Sequence, residues 1–233
     1  MTLSYPEFPT RTSTPVPAVS AVAATWQPTR EHGAYKRLFK RAFDMSAVVL
    51  MAPVWVPLVL LLALLIARDG GSPFYTQDRV GLNRKTFRIW KLRSMVVDAD
   101  ARLEAYLARH PEARREWDET QKLKSDPRIT RLGRLLRKCS LDELPQLWNV
   151  LIGDMSLVGP RPMMTSQMPL YPGQAYYSLR PGVTGYWQIS ARNDSSFAAR
   201  AVFDENYERD LSLSTDLKVL AGTVRVVLHC TGH

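Results

Sequence analysis

The stretch that decides the fold is MSAVVLMAPVWVPLVLLLALLIA, residues 45–67. It contains no charged side chain, and Asp44 and Arg68 stand at its two ends. As a straight helix it would span about 35 Å, slightly more than the hydrocarbon core of a bilayer, which is about 30 Å thick. A buried helix of a soluble protein is the alternative, but such helices are usually shorter. The sequence therefore predicts a helix that enters a membrane.

Two prolines, Pro53 and Pro57, interrupt this stretch. Each removes a backbone donor and strains the preceding turn, so we expect a kink near the middle of the helix. A straight helix would place the rest of the chain across the membrane, whereas a sharply bent, re-entrant helix would return it to the same side. Basic residues at positions 36–41 and between positions 68 and 93 favour the return to the cytoplasmic side. Which proline sets the bend stays open.

The flanking segments differ in character. Residues 1–34 are rich in Pro, Ser, Thr and Ala and bury too little apolar surface to order themselves, so we predict a disordered tail. This tail has no signal-peptide pattern. We therefore divide the chain into a tail at 1–34, a re-entrant membrane helix at 35–69 and a cytoplasmic catalytic domain at 70–233.

The charge balance indicates an anionic partner. The 233 residues include 31 Lys and Arg against 22 Asp and Glu, a formal charge of +9. This excess suits a phosphorylated substrate, an anionic membrane surface or a nucleic acid. The two cysteines, Cys139 and Cys230, form no Cys-x-x-Cys pair. We expect a reduced protein without a disulfide framework.

The remainder of the chain predicts an α+β fold that is mostly helical. The run GGSPFYTQDRVGLNRKTFRIWKLRSM, residues 70–95, is typical of a small β-hairpin around Gly81 and Asn83. A charge-rich stretch at 98–124 predicts solvated helix broken at Pro111. Residues 214–230 suit a terminal amphipathic helix.

A second amphipathic helix is predicted in DPRITRLGRLLRKCS, residues 126–140, where four arginines recur at every third position. These arginines are Arg128, Arg131, Arg134 and Arg137. A solvated face without a partner is one interpretation. An interfacial helix on anionic lipid, or a phosphate clamp at its end, is the other.

Two adjacent carboxylates follow in SLDELPQLW, residues 140–148. Ser140 and Glu143 fit a capping box, which would explain both by backbone N–H groups alone. Pro145 favours instead a helix that begins at the proline, with the acids just before it. In either case Asp142 and Glu143 lie at a helix N-terminus, which suits phosphate. Asp142 could attack phosphorus and Glu143 could hold Mg²⁺.

Several motifs, taken in their order along the chain, resemble those of the bacterial sugar transferase family, the monotopic phosphoglycosyltransferases. The longest is DPRITRLGRLLRKCSLDELPQLWNVLIGDMSLVGPRP at 126–162, and FYTQDRVG, FRIWKLRSM, RPGVTGYWQISARN and DLKVL accompany it. The resemblance covers about residues 36–228, and it is to the short form that includes exopolysaccharide-initiating enzymes. It implies transfer of a hexose 1-phosphate, galactose or glucose, from a UDP-hexose to undecaprenyl phosphate with release of UMP, as the first step of exopolysaccharide or capsule assembly.

The resemblance also implies roles for site residues. Asp142 corresponds to the nucleophile that forms a covalent aspartyl-phosphosugar intermediate, and Glu143 to the Mg²⁺ ligand. Cations of the matching motifs, together with one further acid, are expected to bind substrate or phosphate. These residues are Lys91, Arg93, Arg137, Arg161 and Asp204.

Partners and location follow from the same resemblance. We expect a monotopic protein with amphipathic interfacial helices at the bacterial inner membrane, its catalytic domain on the cytoplasmic face. The expected partners are a UDP-sugar, undecaprenyl phosphate, anionic membrane lipid and a second copy in a homodimer, with no nucleic acid. Two alternatives remain open: the same reaction with an N-acetylated sugar, and a non-catalytic, basic, membrane-anchored adaptor.

Overall fold

The structure, a computed structural model, describes residues 35–120, 123, 125–190 and 197–228. The predicted tail at 1–34 lies outside these ranges. After one π-helical turn at Tyr35–Phe39, the helices are α1 (Lys40–Ala67), α2 (Ala99–Arg109), α3 (Pro111–Thr120), α4 (Arg131–Lys138), α5 (Gln146–Ile152), α6 (Tyr186–Ser190), α7 (Arg200–Asp210) and α8 (Leu213–Leu228). The strands are β1 (Phe74–Val80), β2 (Thr86–Leu92), β3 (Ser156–Val158) and β4 (Gly182–Thr184). The prediction of a mostly helical fold with a small hairpin is confirmed.

Helix α1 contains the whole apolar stretch and begins five residues before it. Within the described ranges it is the one helix whose length and composition fit a membrane crossing, with a mean hydropathy of 2.7. Many of its apolar side chains are exposed, including Leu50 at 83 %, Val54 at 73 % and Leu64 at 70 %. An exposed apolar surface of this size marks an interaction with lipid or protein. The fold is therefore compatible with a monotopic membrane protein.

The predicted bend in α1 is not confirmed. The helix continues through both Pro53 and Pro57. In the turn before Pro53, the indole Nε1 of Trp55 donates a hydrogen bond to the carbonyl of Val48 at 3.2 Å. Pro53 removes the helical donor for the carbonyl of Val49, four residues earlier, so the indole bonds the carbonyl one residue before the one that the proline frees. The bend stays a prediction.

The β-hairpin forms where the sequence predicts it. β1 and β2 pair antiparallel, with Tyr75 opposite Lys91 and Arg79 opposite Phe87. Asn83 in the connection has a left-handed φ of 55°. Because side chains alternate between the two faces of a strand, Lys91 and Arg79 lie on the same face of the hairpin, toward its opposite ends.

Three apolar clusters hold the elements together. The first joins the start of α1 to the hairpin, α5, β3, α7 and α8, and its buried members are Val48, Phe87, Ile89, Leu147, Val150, Met155, Leu157, Val158, Leu179, Tyr207 and Val219. The second joins the later half of α1 to β2 and α4 through Val59, Leu62, Ala63, Ile66, Leu92 and Leu136. The third, at the other end of the hairpin, consists of Val80, Met163, Tyr171, Tyr176 and Ala201.

Buried polar contacts fix the start of α1 on the rest of the fold. Asp44 accepts a hydrogen bond from the Ser156 hydroxyl at 2.6 Å. Lys40 lies 2.8 Å from Asp216 of α8, which also accepts from the Tyr207 hydroxyl at 2.7 Å. Asp44 and Asp216 are almost fully buried, at 1 % and 0 % exposed. The apolar helix is thus tied to β3 and α8 by paired charges.

The predicted four-arginine stripe is wrong at its first member. Helix α4 begins at Arg131, because Thr130 caps it and accepts a hydrogen bond from the Gly133 amide at 2.8 Å. Arg128 precedes the cap and forms a buried ion pair with Asp126 at 2.7 Å. Since that charge is satisfied inside the protein, Arg128 does not contribute to a lipid-facing surface.

A second correction concerns Cys139, the residue that follows α4. The expectation of a protein without disulfides is wrong there, because Cys139 is disulfide-bonded. Cysteine usage therefore does not support a reducing compartment, and the cytoplasmic expectation depends on the distribution of positive charge and on the family resemblance.

Candidate active site

The acid pair lies in a single 3₁₀ turn, Leu141–Glu143, between α4 and α5. Pro145 takes the cap position of α5, which confirms the interpretation that the helix begins at the proline with the acids just before it. The capping-box interpretation is wrong, since within the described structure the Ser140 side chain makes no cap hydrogen bond and its φ is 57°. The acids therefore precede α5 in a separate turn.

Asp142 is buried, at 8 % exposed, yet it is surrounded by charge. Burial raises the pKa of its carboxyl above the ordinary value, and the neighbouring Glu143 raises it further. Lys91 and Arg137 act in the opposite direction and lower that pKa. A carboxylate held between cations in a partly dry site is what an anionic nucleophile for phosphorus requires.

Glu143 contacts two cations from different parts of the chain. Its Oε1 lies 2.7 Å from Nζ of Lys91 on β2 and 3.5 Å from Nη2 of Arg161. Three of the predicted site residues therefore meet in space although they are separated by 18 to 52 positions in sequence. These contacts give the carboxylate a fixed position beside Asp142.

Two glycines set the position of the loop that carries Arg161. β3 and β4 pair in parallel, and the amide of Gly182 donates to the carbonyl of Pro160 at 2.8 Å. A Cβ on Gly182 would lie 2.1 Å from the amide nitrogen of Gly159, so no larger residue fits between the two segments. The close approach of these backbones aims the loop at the acid pair.

Arg137 approaches the acids from α4. Its Nε donates to the Ser94 hydroxyl at 2.8 Å, which fixes the guanidinium after the end of β2. Burial lowers its pKa, and the negative charge of Asp142 partly offsets that effect. The structure therefore places Arg137 near Asp142, on which it acts electrostatically as Lys91 does.

Two predicted site residues lie elsewhere. Arg93 pairs with Asp69 at 2.9 Å and donates to the carbonyl of Ser72 at 2.7 Å, so it fastens the end of α1 to the hairpin. Asp204 on α7 is buried at 5 % exposed and accepts from the Tyr171 hydroxyl at 2.7 Å. Neither side chain contacts the acid pair, and a direct phosphate contact is not what their partners indicate.

The sequence interpretation missed two arginines. Arg79 of β1 donates to the carbonyl of Pro162 at 3.2 Å, next to Arg161 in the chain. Arg200 of α7 lies over the ring of Trp187, 4.2 Å from its centre. Arg79 belongs to the motif FYTQDRVG and could have been selected on that ground, whereas no pattern in the sequence distinguishes Arg200.

The acid pair could hold a divalent metal with help from its substrate. The described residues contain no group of three or more His, Cys, Asp or Glu side chains that could hold a metal ion alone. Mg²⁺ typically takes one or two protein carboxylates and completes its shell with phosphate oxygens and water. Asp142 and Glu143 fit that donor set.

A groove lies at the C-terminal end of α1, with a volume of about 520 Å³. Its walls combine apolar side chains with cations, and the lining residues are Leu65, Ile66, Arg68, Asp69, Arg93, Met95, Thr130 and Leu132. This mixture suits a molecule with an apolar chain and an anionic head.

Comparison with known proteins connects this geometry to sugar transfer. The family model described as bacterial sugar transferase matches residues 35–230. The chain is 46 % identical over 198 residues to the UDP-galactose-lipid carrier transferase of Erwinia amylovora, and 45 % identical over 198 residues to the undecaprenyl-phosphate galactose phosphotransferase of Salmonella typhimurium. Each match covers 84 % of this chain and 42 % of the other protein, so the chain spans less than half the length of these relatives.

A shorter relative matches along most of its length. The exopolysaccharide production protein ExoY of Rhizobium meliloti is 45 % identical over 191 residues, which is 81 % of this chain and 84 % of that protein. The region that the family model matches, residues 35–230, includes α1 and contains the acid pair together with Lys91, Arg137 and Arg161.

Proposed function

We propose, because the chain belongs to the bacterial sugar transferase family, that it transfers a hexose 1-phosphate from a UDP-hexose to undecaprenyl phosphate and releases UMP. The names of two relatives support a galactosyl phosphate donor and a polyprenyl acceptor. The observation that carries the proposal is the buried Asp142 next to Glu143, which Lys91 and Arg161 contact. Galactose or glucose is the favoured sugar.

The first chemical step uses Asp142 as the nucleophile. A carboxylate oxygen attacks the phosphorus that carries the sugar, and the bond from that phosphorus to the bridging oxygen breaks. UMP leaves with the electron pair of that bond, and Asp142 carries the sugar phosphate as a mixed anhydride. The ionised form of Asp142 is required, and Lys91 and Arg137 favour that form against the effect of burial.

The cations around the pair neutralise charge as it moves. Arg161 presents a planar guanidinium that can bind phosphate oxygens in a bidentate manner, and Lys91 supplies a compact charge. Glu143, with Asp142 beside it, would hold Mg²⁺, which when bound would neutralise charge on the diphosphate. Since Glu143 already accepts from Lys91, the metal ion and the ammonium group would share its carboxylate.

The second step needs the lipid acceptor. A phosphate oxygen of the acceptor attacks the phosphorus of the intermediate, forms the diphosphate bond and restores the Asp142 carboxylate. The groove at the end of α1 supports an entry route for this lipid, because it has apolar walls and contains Arg68 and Arg93. In this account Arg93, paired with Asp69, shapes the wall of the groove, and Arg68 is the cation offered to the acceptor phosphate.

Helix α1 would lie in one leaflet of the inner membrane as a re-entrant segment, bent at Pro53 or Pro57, with residues 70–233 as the catalytic domain on the cytoplasmic face. Its exposed apolar side chains and the two prolines inside it support this arrangement. The cationic residues that follow α1 support the cytoplasmic side.

The test is a UMP-release assay on the full chain in detergent or nanodiscs. We expect release from UDP-galactose or UDP-glucose that requires undecaprenyl phosphate for turnover and stops when EDTA removes Mg²⁺. UDP-N-acetylglucosamine in the same panel tests the alternative sugar. No release from any of the three donors would contradict the proposal and favour the membrane-anchored adaptor.

A further inference from the structure

Three arginines gather around Trp187 and the loop that carries Arg161. Guanidinium carbons of Arg161 and Arg200 lie 5.7 and 4.2 Å from the centre of the same Trp187 ring. Arg79 joins them, because its Nη1 donates to the carbonyl of Pro162, the residue after Arg161. We call Arg79, Arg161 and Arg200 the arginine cluster.

The cluster carries more positive charge than its surroundings balance. Glu143 reaches Arg161 at 3.5 Å but is closer to Lys91, at 2.7 Å. Asp204 affects Arg200 electrostatically, but its Oδ2 accepts from the Tyr171 hydroxyl. Burial and the charges of Arg161 and Arg79 lower the pKa of Arg200 to about 10. The three guanidinium groups therefore repel one another in a partly desolvated place.

The hydrogen-bonding groups of the cluster are also incompletely used. The buried Nε atoms of Arg79 and Arg200 have no partner in the described structure. Arg200 contacts the rings of Trp187 and Phe197, while the partners of Arg79 are neutral oxygens of Gln77 and Pro162. Unpaired charge and unused donors at a partly buried site are costly unless an anion completes them. A group with two adjacent phosphates supplies both the charge and the acceptors.

The position of the arginine cluster along the hairpin indicates which anion it binds. Phe74 at the start of β1 packs against the second apolar cluster, which contains the later half of α1, whereas Val80 at the end of β1 belongs to the third cluster. Arg79 is five residues along the strand from Phe74, or roughly 17 Å. The arginine cluster therefore lies at the end of the hairpin opposite the later half of α1, which lines the groove proposed for the lipid acceptor, and this separation favours the donor as its ligand.

We propose that Arg79 and Arg200, together with Arg161, bind the diphosphate group of the nucleotide-sugar donor. This inference rests on the function proposed above and assigns two residues to substrate binding. Glu143 lies between this cluster and Lys91, so a diphosphate on the arginines would present its sugar-bearing phosphorus toward Asp142. Both the nucleotide-sugar donor and the lipid acceptor carry phosphate, so the experiment must distinguish which of the two the cluster binds.

The test measures UDP binding to the full chain in nanodiscs by titration calorimetry. Arg79→Met and Arg200→Met should each weaken UDP binding by about ten- to hundredfold, the usual effect of losing a charge-assisted contact. Binding of uridine, which lacks the diphosphate, should change by less than about twofold. Arg88→Met on β2 and Arg209→Met on α7 are matched controls, because both side chains are exposed and pair with nearby acids. They should leave UDP binding unchanged.

Other outcomes overturn the inference in distinguishable ways. If the wild-type chain binds UDP and both cluster variants bind it equally well, the inference is wrong and the proposed function stands. If the variants bind UDP normally but raise the KM for undecaprenyl phosphate, the cluster serves the acceptor and the inference is also wrong. If the wild-type chain binds no UDP, the inference and the proposed donor are wrong together.

A measurement on the wild-type chain covers the case in which a variant does not fold. Phenylglyoxal modifies accessible guanidinium groups, and peptide mass spectrometry locates the modified arginines. UDP should protect Arg200 from modification while leaving Arg209 on the same helix reactive. Equal modification of Arg200 with and without saturating UDP would refute the inference without any substitution.

Discussion

Two buried aspartates illustrate how neighbours decide the role of a side chain. Asp142 is surrounded by Lys91 and Arg137, which favour its ionised form and suit a nucleophile. Asp204 has one hydroxyl donor, Tyr171, and one nearby cation, Arg200. Burial outweighs both and raises the pKa of Asp204 to about 7. The carboxyl of Asp204 therefore carries a proton over much of the weakly acidic range, which does not suit an anionic nucleophile.

This environment predicts a pH-dependent stability. The folded-state pKa of Asp204, about 7, lies above its ordinary value of about 3.9, so the folded protein keeps a proton that the unfolded chain releases. The contribution of Asp204 to stability is present below about pH 4 and is lost as the pH rises to about 7. Asp204→Asn should flatten the Tm profile over that range by several degrees, as measured by intrinsic tryptophan fluorescence. Asp210→Asn, at an exposed site on the same helix, should leave the profile unchanged, and an unaltered slope in Asp204→Asn would contradict this assignment.

Whether the role of a single residue could be predicted from the sequence depended on whether that role is set by a motif or by tertiary contacts. Lys91, Arg137 and Arg161 were found because each belongs to a recognisable motif near the acids or in a matching segment. Arg128 was misassigned because its charge is taken by Asp126, two residues earlier, before the helix begins at Arg131. Arg200 was missed because its position over Trp187 depends on tertiary packing, which a periodic pattern does not report.

Helix α1 is the element of the described structure whose length and composition fit a membrane. Its length of 28 residues corresponds to about 42 Å, more than the roughly 30 Å core of a bilayer. The sequence predicted this helix from its uninterrupted apolar run and the hairpin from its turn residues. The parallel pair of β3 and β4 was not predicted, because each strand has three residues and they are joined across 23 intervening positions. Pairing at that distance depends on the close approach of Gly159 and Gly182.

The re-entrant arrangement proposed for α1 can be tested by locating the two ends of the chain relative to the membrane. With a re-entrant helix, tags at residues 1 and 233 should both be protected from protease added to the periplasmic side of intact spheroplasts. In Pro53→Ala/Pro57→Ala the helix regains two backbone donors and should straighten, which would move one end across the membrane. Val54→Ala/Val56→Ala changes neighbouring apolar positions without altering the backbone and should behave as the wild type. Periplasmic cleavage at one end of the wild-type chain would mean that α1 spans the membrane.

Over the whole molecule, the contacts at the start of α1 couple the apolar helix to the catalytic part. Lys40, Tyr35 and Tyr207 all donate to Asp216, which is fully buried on α8. Arg41 adds hydrogen bonds to the carbonyls at the end of α5, the helix whose other end follows the acid pair. A change at the membrane helix can therefore shift the acids through α5, which ties the position of the site to that of the membrane surface.

Asp216→Asn tests this coupling. The substitution leaves Lys40 without its closest buried counter-charge, so we expect a loss of about 3–5 kcal/mol in the free energy of unfolding. For a chain of this size that corresponds to a Tm lower by roughly 10 °C, which thermal unfolding in nanodiscs would measure. Asp78→Asn, whose side chain is 63 % exposed, is the control and should change the Tm little. An Asp216→Asn protein as stable as the control would show that the contacts do not hold the helix.

The central claim, that Asp142 carries the sugar phosphate, is tested most directly by trapping the intermediate. The full chain is incubated with UDP-galactose or UDP-glucose and Mg²⁺ in the absence of acceptor, quenched rapidly and digested for mass spectrometry. The account predicts one hexose phosphate on the peptide that contains Asp142, one equivalent of released UMP, and neither product from Asp142→Asn. Release of UMP without an adduct at Asp142, or turnover by Asp142→Asn close to that of the wild type, would contradict it.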